Sequence, residues 1–179
     1  LEKKKGLSGA EKGTALHFVM QHLDLNHVMT ADQIHEQIHR MVENQLLTPE
    51  QASSVDVHKI VDFFRTPLGQ RMLSSGNVKR EVPFNIHIKC KEIYDNLPKH
   101  YEDEAIILQG VIDCYFEEKD GIVLVDYKTD YVEPGGEQKI KEKYAVQLEY
   151  YSKALEYITG CRVKERFIYL FWNSSILKT

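Results

Sequence analysis

The sequence predicts an α/β fold in which a mainly helical part, residues 1–76, precedes a β-β-β-α-β succession over residues 78–172. Three observations predict it. Apolar residues recur at helical spacing through the first part, as in Leu16, Val19, Met20 and Leu23. From Val78 the pattern changes to alternating and short apolar runs, broken at Asp120-Gly121. One long helical stretch, Gln138 to Ile158, ends at Gly160 and is followed by the apolar run RVKERFIYLFW. With 179 residues the chain can build one good hydrophobic core, so 1–179 is expected to be a single domain.

The elements follow in order. Gly9 to Asp24 reads as an amphipathic helix. Thr30 is a good N-cap for a second helix to Leu46, with Ile34, Ile38, Met41, Val42 and Leu46 inward. Thr48-Pro49 starts a short helix, and Val57 to Phe64 and Pro67 to Leu73 also look helical. Val78 to Lys89 is a strand, with Val82, Phe84, Ile86 and Ile88 alternating. Ala105 to Glu117 and Ile122 to Thr129 form a hairpin, and Arg162 to Trp172 is the last strand. His87 to Asp103 reads as an irregular connection.

Composition sets bounds. No apolar run approaches the ~18 residues a membrane span needs, and no signal peptide is visible. The chain begins LEKKK without Met, as expected of a piece of a longer protein whose first residues fit a cloning remnant. Cys90, Cys114 and Cys161 are odd in number and widely spaced, which suggests reduced thiols in a cytoplasm. A net charge of −4 exerts no global pull on nucleic acid, so any such contact must be local or metal-mediated.

The hairpin carries charge where core residues are expected. Ile122, Leu124, Asp126 and Lys128 share one strand face, and Gln109, Val111, Asp113 and Tyr115 share one on the partner strand. A two-residue loop at Asp120-Gly121 sets Asp113 opposite Lys128 and diagonal to Asp126. A four-residue loop sets it opposite Asp126. A three-residue loop without a bulge separates the groups, and an even-length loop is expected. Two carboxylates this close repel unless something neutralises them. A hard divalent cation with oxygen ligands does so, and an adjacent lysine can then orient water and stabilise charge on a phosphate. The alternative for these residues alone is a salt-bridged cross-strand cluster.

Gly110-Val-Ile-Asp113, Asp126-Tyr-Lys128-Thr129 and Gln147-Leu-Glu-Tyr-Tyr151, preceded by Gly13-Thr-Ala-Leu-His17, resemble in order and spacing the motifs of the RecB-type branch of the PD-(D/E)XK nucleases. The combination is far more specific than a lone D…DxK, and the resemblance covers nearly the whole chain. Within that branch it is closest to the nuclease domains of AddA-type helicase–nucleases. The resemblance implies a restriction-endonuclease-like αβββαβ core, a mixed sheet flanked by helices, with an extra helical N-terminal region. It implies an Mg²⁺-dependent deoxyribonuclease (an exonuclease), with Mn²⁺ as substitute. His17, Asp113, Asp126 and the Tyr127 backbone carbonyl would bind the metal, and Lys128 would assist the attacking water. Gln147 and Tyr151 would complete the site, and Gln21, Glu81 and Thr129 would support it or the DNA. The implied partners are single strands and ends of DNA, the helicase part of a longer chain and an AddB-like protein, in double-strand break processing for recombination in a bacterial cytoplasm. A catalytically silent nuclease fold used for docking DNA ends or proteins is the rival. The intact Asp113, Asp126 and Lys128 argue against it.

Two further expectations concern metals. Some relatives carry four cysteines for an iron–sulfur cluster; three isolated cysteines cannot supply that, so none is expected. His35-Glu36-Gln37-Ile38-His39 matches HExxH on a predicted helix. A zinc site needs a third protein ligand, and none is evident from spacing, so these residues read as a solvated helix face without zinc.

Overall fold

The computed structural model describes residues 6–92, 96, 98–101 and 104–179. The LEKKK start and part of the connection before Asp103 lie outside the described residues. Five helices come first: α1 (Gly9–His22), α2 (Ala31–Glu43), α3 (Pro49–Ser54), α4 (Val57–Arg65) and α5 (Pro67–Ser74). Their starts are chemically defined. Ser8, Thr30 and Thr48 each cap a helix, with Glu11, Gln33 and Gln51 returning the bond to the cap backbone. Each such cap contributes about 1 kcal/mol. Then come β1 (Val78–Lys89), β2 (Ala105–Glu118), β3 (Gly121–Lys128), α6 (Glu137–Thr159), β4 (Val163–Leu170) and β5 (Ser175–Lys178). Short 3₁₀ turns at Cys90–Glu92 and Lys99–Tyr101 lie in the β1–β2 connection.

The strands form one mixed sheet in the order β1-β2-β3-β4-β5. Only β3 and β4, joined through α6, are parallel; the other neighbours are antiparallel. The sheet separates two cores. Cys114, Phe116, Val123, Val125, Tyr127 and Tyr169 pack against α1, α2 and α4. Ile122, Leu124, Ile168 and Leu170 pack against Ile140, Leu148, Ala154 and Leu155 of α6. This is the helix–sheet–helix layering expected of the sequence pattern.

The hairpin differs from expectation by one residue. Glu118 pairs with Gly121 and Glu117 with Ile122, so Lys119-Asp120 forms the bend, not Asp120-Gly121. Gly121 instead opens β3 with φ +142°, and a β-carbon there would lie 2.6 Å from the Arg162 carbonyl. Close approach to the start of β4 therefore places this glycine, not the turn. The loop remains even in length, which is what decides the face of every later residue. This end of the sheet is tied by Arg71, which donates to Glu118 at 2.9 and 3.0 Å and also binds Glu165. Arg71 and then Lys164 hold the Glu118 carboxyl down at about 2. The fifth strand lies beyond the predicted elements, because its four residues, SILK, are too short to show a period.

Candidate active site

The candidate residues gather at a fork in the sheet. The β2–β3 ladder ends at Cys114 and Val125. Beyond it β2 continues only with β1, as far as Ala105 and Lys89. Meanwhile β3 continues only with β4, as far as Lys128 and Leu170. One step further along the lost ladder, Asp113 and Asp126 would face each other. The Tyr127 N–H, left without a β2 carbonyl, donates instead to Asp113 Oδ2 at 2.7 Å.

Asp113 also sits where two strands reverse face. Arg80 of β1 donates to the Met20 and Leu23 carbonyls at the end of α1, and Cys114 and Phe116 of β2 lie in the same helical core. Yet Val82, Phe84 and Ile112 lie in the α6 core. Regular alternation cannot do this. The reversal falls at Glu81 and Asp113, and Glu81 takes φ +49°. A glutamate in the left-handed region costs roughly 1–2 kcal/mol, so the surroundings must enforce it. The expectation that Asp113 simply shares a strand face with Asp126 and Lys128 is therefore corrected. Asp126 and Lys128 follow the α6 face, whereas Asp113 stands at the reversal and reaches His17 on α1.

His17 Nδ1 lies 3.5 Å from Asp113 Oδ1 and 3.7 Å from Glu81 Oε1. Ligand atoms of these three residues lie within 4.8 Å of one another, the group among the described residues that could hold a metal ion. Burial alone would lower the His17 pKa; the Asp113 and Glu81 carboxylates outweigh it and raise it. Asp126 is 1% exposed. Its Oδ2 forms an ion pair with Lys128 Nζ at 2.7 Å, while Oδ1 is buried without a hydrogen-bond partner. Burial first, then the Asp113 charge, push its carboxyl up to about 6, against Lys128. A buried carboxylate in this state is strongly unfavourable unless something else satisfies it. The Glu81 and Asp113 carboxylates and the His17 imidazole are a donor set for a hard divalent cation; Asp126, whose carboxyl feels the Asp113 charge, lies outside that trio.

The α6 side closes the fork. Gln147 Nε2 donates to Tyr151 Oη at 2.7 Å. Burial, then the charges of Asp126 and Asp113, raise the Tyr151 pKa. Gly110 makes room here: a β-carbon would lie 3.0 Å from the Phe84 ring, which packs edge-on against Tyr151. Sequence reasoning missed Tyr144 and Asp130. The Tyr144 ring lies 4.4 Å from Lys128 Nζ, and its hydroxyl reaches both Asp130 oxygens at 3.1 and 3.0 Å, where Lys143 also binds at 2.7 Å. A signal existed: Tyr144, Gln147, Leu148 and Tyr151 recur at i, i+3, i+4, i+7 on one helix face. Two candidates are not brought in. Among the described residues no hydrogen bond joins Gln21 to the site. Thr129 is exposed and borders a cavity beside Gly13, next to the fork.

His35, Glu36 and His39 are exposed on α2; His39 faces Glu43 at 3.5 Å and Glu36 faces Arg40 at 3.4 Å. The turn inward belongs to Gln37, which accepts from the Asp24 N–H at 2.6 Å and donates to the His27 carbonyl at 2.7 Å. The double variant His35→Ala/His39→Ala is expected to keep its Tm within about 2 °C, as exposed substitutions do. Elemental analysis of the purified parent is expected to find no stoichiometric zinc. One zinc per chain, lost in the double variant, would restore the metallopeptidase motif.

Comparison with known proteins shows the family. The family model of the PD-(D/E)XK nuclease superfamily matches residues 1–173. An ATP-dependent helicase/nuclease subunit of Thermoanaerobacter sp. (strain X514) is 61% identical over 178 residues, covering 99% of this chain and 14% of the relative. The protein of the same name from Acetivibrio thermocellus is 58% identical over 182 residues, covering 99% and 14%. That from Clostridium novyi is 51% identical over 174 residues, covering 97% and 14%. The chain thus spans about a seventh of the length of these relatives.

Proposed function

This chain belongs to the PD-(D/E)XK nuclease superfamily, and from that premise we propose that it is a divalent-metal-dependent deoxyribonuclease. The observation that carries the reading is the meeting of His17, Glu81 and Asp113 ligand atoms within 4.8 Å of one another, with the buried Asp126–Lys128 ion pair beside them. The proposed ligands are His17, Asp113, Asp126, the Tyr127 carbonyl and, on its position within the cluster, Glu81. Mg²⁺ is the proposed ion, with Mn²⁺ as substitute. Such an ion, when bound, polarises a phosphodiester and lowers the pKa of bound water.

The chain's own residues do the rest. Lys128 stays charged, because Asp126 and Asp113 outweigh the burial that would neutralise it. It is therefore a donor to the attacking water and to charge on the phosphoryl oxygens, not a base. Tyr144 fixes its ammonium from below. The Gln147–Tyr151 pair fills the α6 side of the fork and orients the strand being cut.

The likeness to helicase/nuclease proteins extends the proposal. The substrate is single-stranded DNA fed from an end, cut exonucleolytically during break processing before recombination. The helicase would lie elsewhere in a longer bacterial cytoplasmic chain, partnered by an AddB-type protein. No helix among the described residues is long and apolar enough to cross a membrane.

The test is degradation of end-labelled single- and double-stranded DNA by the chain in Mg²⁺, Mn²⁺, Ca²⁺ and EDTA. Cleavage is expected in the first two alone. A folded chain that binds DNA yet leaves it intact in both Mg²⁺ and Mn²⁺ would be the silent docking module instead.

A further inference from the structure

We propose that Tyr131 and Trp172, backed by Lys59 and Lys12, form a stacking platform for unpaired DNA bases beside the cleavage site. The proposal rests on the nuclease reading and deepens it, because it assigns how the strand is held and why it must be single.

Position comes first. Lys128 pairs with Leu170 across the parallel β3–β4 ladder, and the Phe171 N–H donates to the Lys128 carbonyl at 2.8 Å. Both strands leave the sheet at the same end. Trp172 follows Leu170 by two residues and Tyr131 follows Lys128 by three. The two rings then meet edge to face at 4.8 Å between centroids. At no more than about 3.3 Å per residue, Tyr131 lies within roughly 10 Å of Lys128 along the chain, and the ring contact brings Trp172 to the same place.

The chemistry fits one occupant. Tyr131 is 63% exposed and Trp172 48%, so ring surface on both remains open. Lys59 Nζ lies 5.1 Å from the Trp172 ring centre and donates to the Trp172 carbonyl at 3.2 Å, which fixes the ring and adds positive charge. A cavity of about 210 Å³ on the Trp172 side is bordered by Lys12, Lys59, Thr129 and Trp172. Its one carboxylate, Asp56, caps α4 by accepting from the His58 N–H at 3.1 Å, and against the two lysines it leaves the lining with a surplus of one positive charge. In a chain of net charge −4, two lysines and two open aromatic rings beside the fork are a local exception. Lysines suit a phosphate backbone, and open rings suit bases of any sequence, since every base has a π-face. A duplex keeps its bases stacked on each other and cannot offer them. Charge complementarity and continuity with the proposed site therefore favour a single strand over an apolar protein segment.

Trp172 is the sole tryptophan of the chain, so its emission reports on this surface directly. The 179-residue chain is titrated in Ca²⁺ with oligo(dT) and with a blunt duplex of equal length. Emission is expected to fall with oligo(dT) and to change little with duplex. Tyr131→Ala and Trp172→Ala should each raise the Kd for oligo(dT) about tenfold by anisotropy, the scale of one lost base stack, while Trp172→Phe largely retains affinity. Unchanged affinity in both alanine variants, or equal quenching by duplex, overturns the platform. Cleavage in Mg²⁺ is measured on the same samples. A parent that cuts DNA with affinity indifferent to these variants sinks the platform alone. Quenching and variant effects without any cleavage leave the platform standing and sink the nuclease reading. Neither binding nor cleavage sinks both.

Discussion

Replacing Asp126 by alanine is expected to reduce DNA cleavage by about 10³-fold or more while the chain stays folded, on the scale of losing an essential transition-state stabiliser. Asp126 is the most buried carboxylate of the fork; its Oδ2 meets only Lys128, and Oδ1 has no hydrogen-bond partner. Its removal relieves the burial cost and the repulsion with Asp113 that together raise its pKa, and it also deprives Lys128 of its ion pair. Those two effects oppose each other, and Lys128 keeps the Tyr144 ring, so the metal-free Tm should move little. The decisive readout is linkage. Mg²⁺ should raise the Tm of the parent, because an ion that binds only the folded state stabilises it, and should not raise that of Asp126→Ala. A folded variant that still cuts at the parental rate, or still gains Tm from Mg²⁺ as the parent does, places the ion and the chemistry elsewhere.

The framework is legible in the sequence because local physics writes it. Thr30 before a polar-apolar repeat, Thr48 before Pro49 and Gly160 after α6 are caps whose chemistry acts within a few residues. The parity of the hairpin is legible for the same reason. Its register is not: Asp120-Gly121 is a favoured turn pair, but the contact of Gly121 with Arg162, far along the chain, overrides it. The site shows the same boundary. Asp113, Asp126 and Lys128 stand out because charge interrupts apolar runs. The face reversal at Glu81 and Asp113 does not, since period-two reasoning assumes that no such reversal occurs. It is this reversal that lets Asp113 meet His17 from one side of the sheet while Asp126 stays on the other. Asp130 escapes because it looks like an ordinary surface residue, and Tyr144 because its place on the Gln147–Tyr151 helix face gains meaning only when its ring meets Lys128 and its hydroxyl Asp130.

Lys128→Met should lower the single-turnover cleavage rate by about 10²–10³-fold with little change in DNA affinity, as expected for a donor that acts on charge present only in the transition state. The geometry motivates this. Lys128 Nζ is held 2.7 Å from Asp126 Oδ2 and 4.4 Å from the Tyr144 ring, mostly withdrawn from solvent, so it is aimed at the fork and not at a passing phosphate. Interactions made only in the transition state lower kcat and kcat/KM together. A lysine that merely neutralises a backbone phosphate behaves otherwise: its loss weakens binding to every sequence and lowers the salt dependence by about one ion. The two roles separate when cleavage at saturating DNA is measured in Mg²⁺ and affinity in Ca²⁺ at two salt concentrations. Tyr144→Leu, which removes the ring under the ammonium but leaves the charge, should shift the rate in the same direction by less, again without changing the salt slope. If Lys128→Met cuts at the parental rate once saturated and differs only in affinity and salt slope, the ammonium serves binding, and the stabilisation of developing charge must come from the ion and its carboxylates alone.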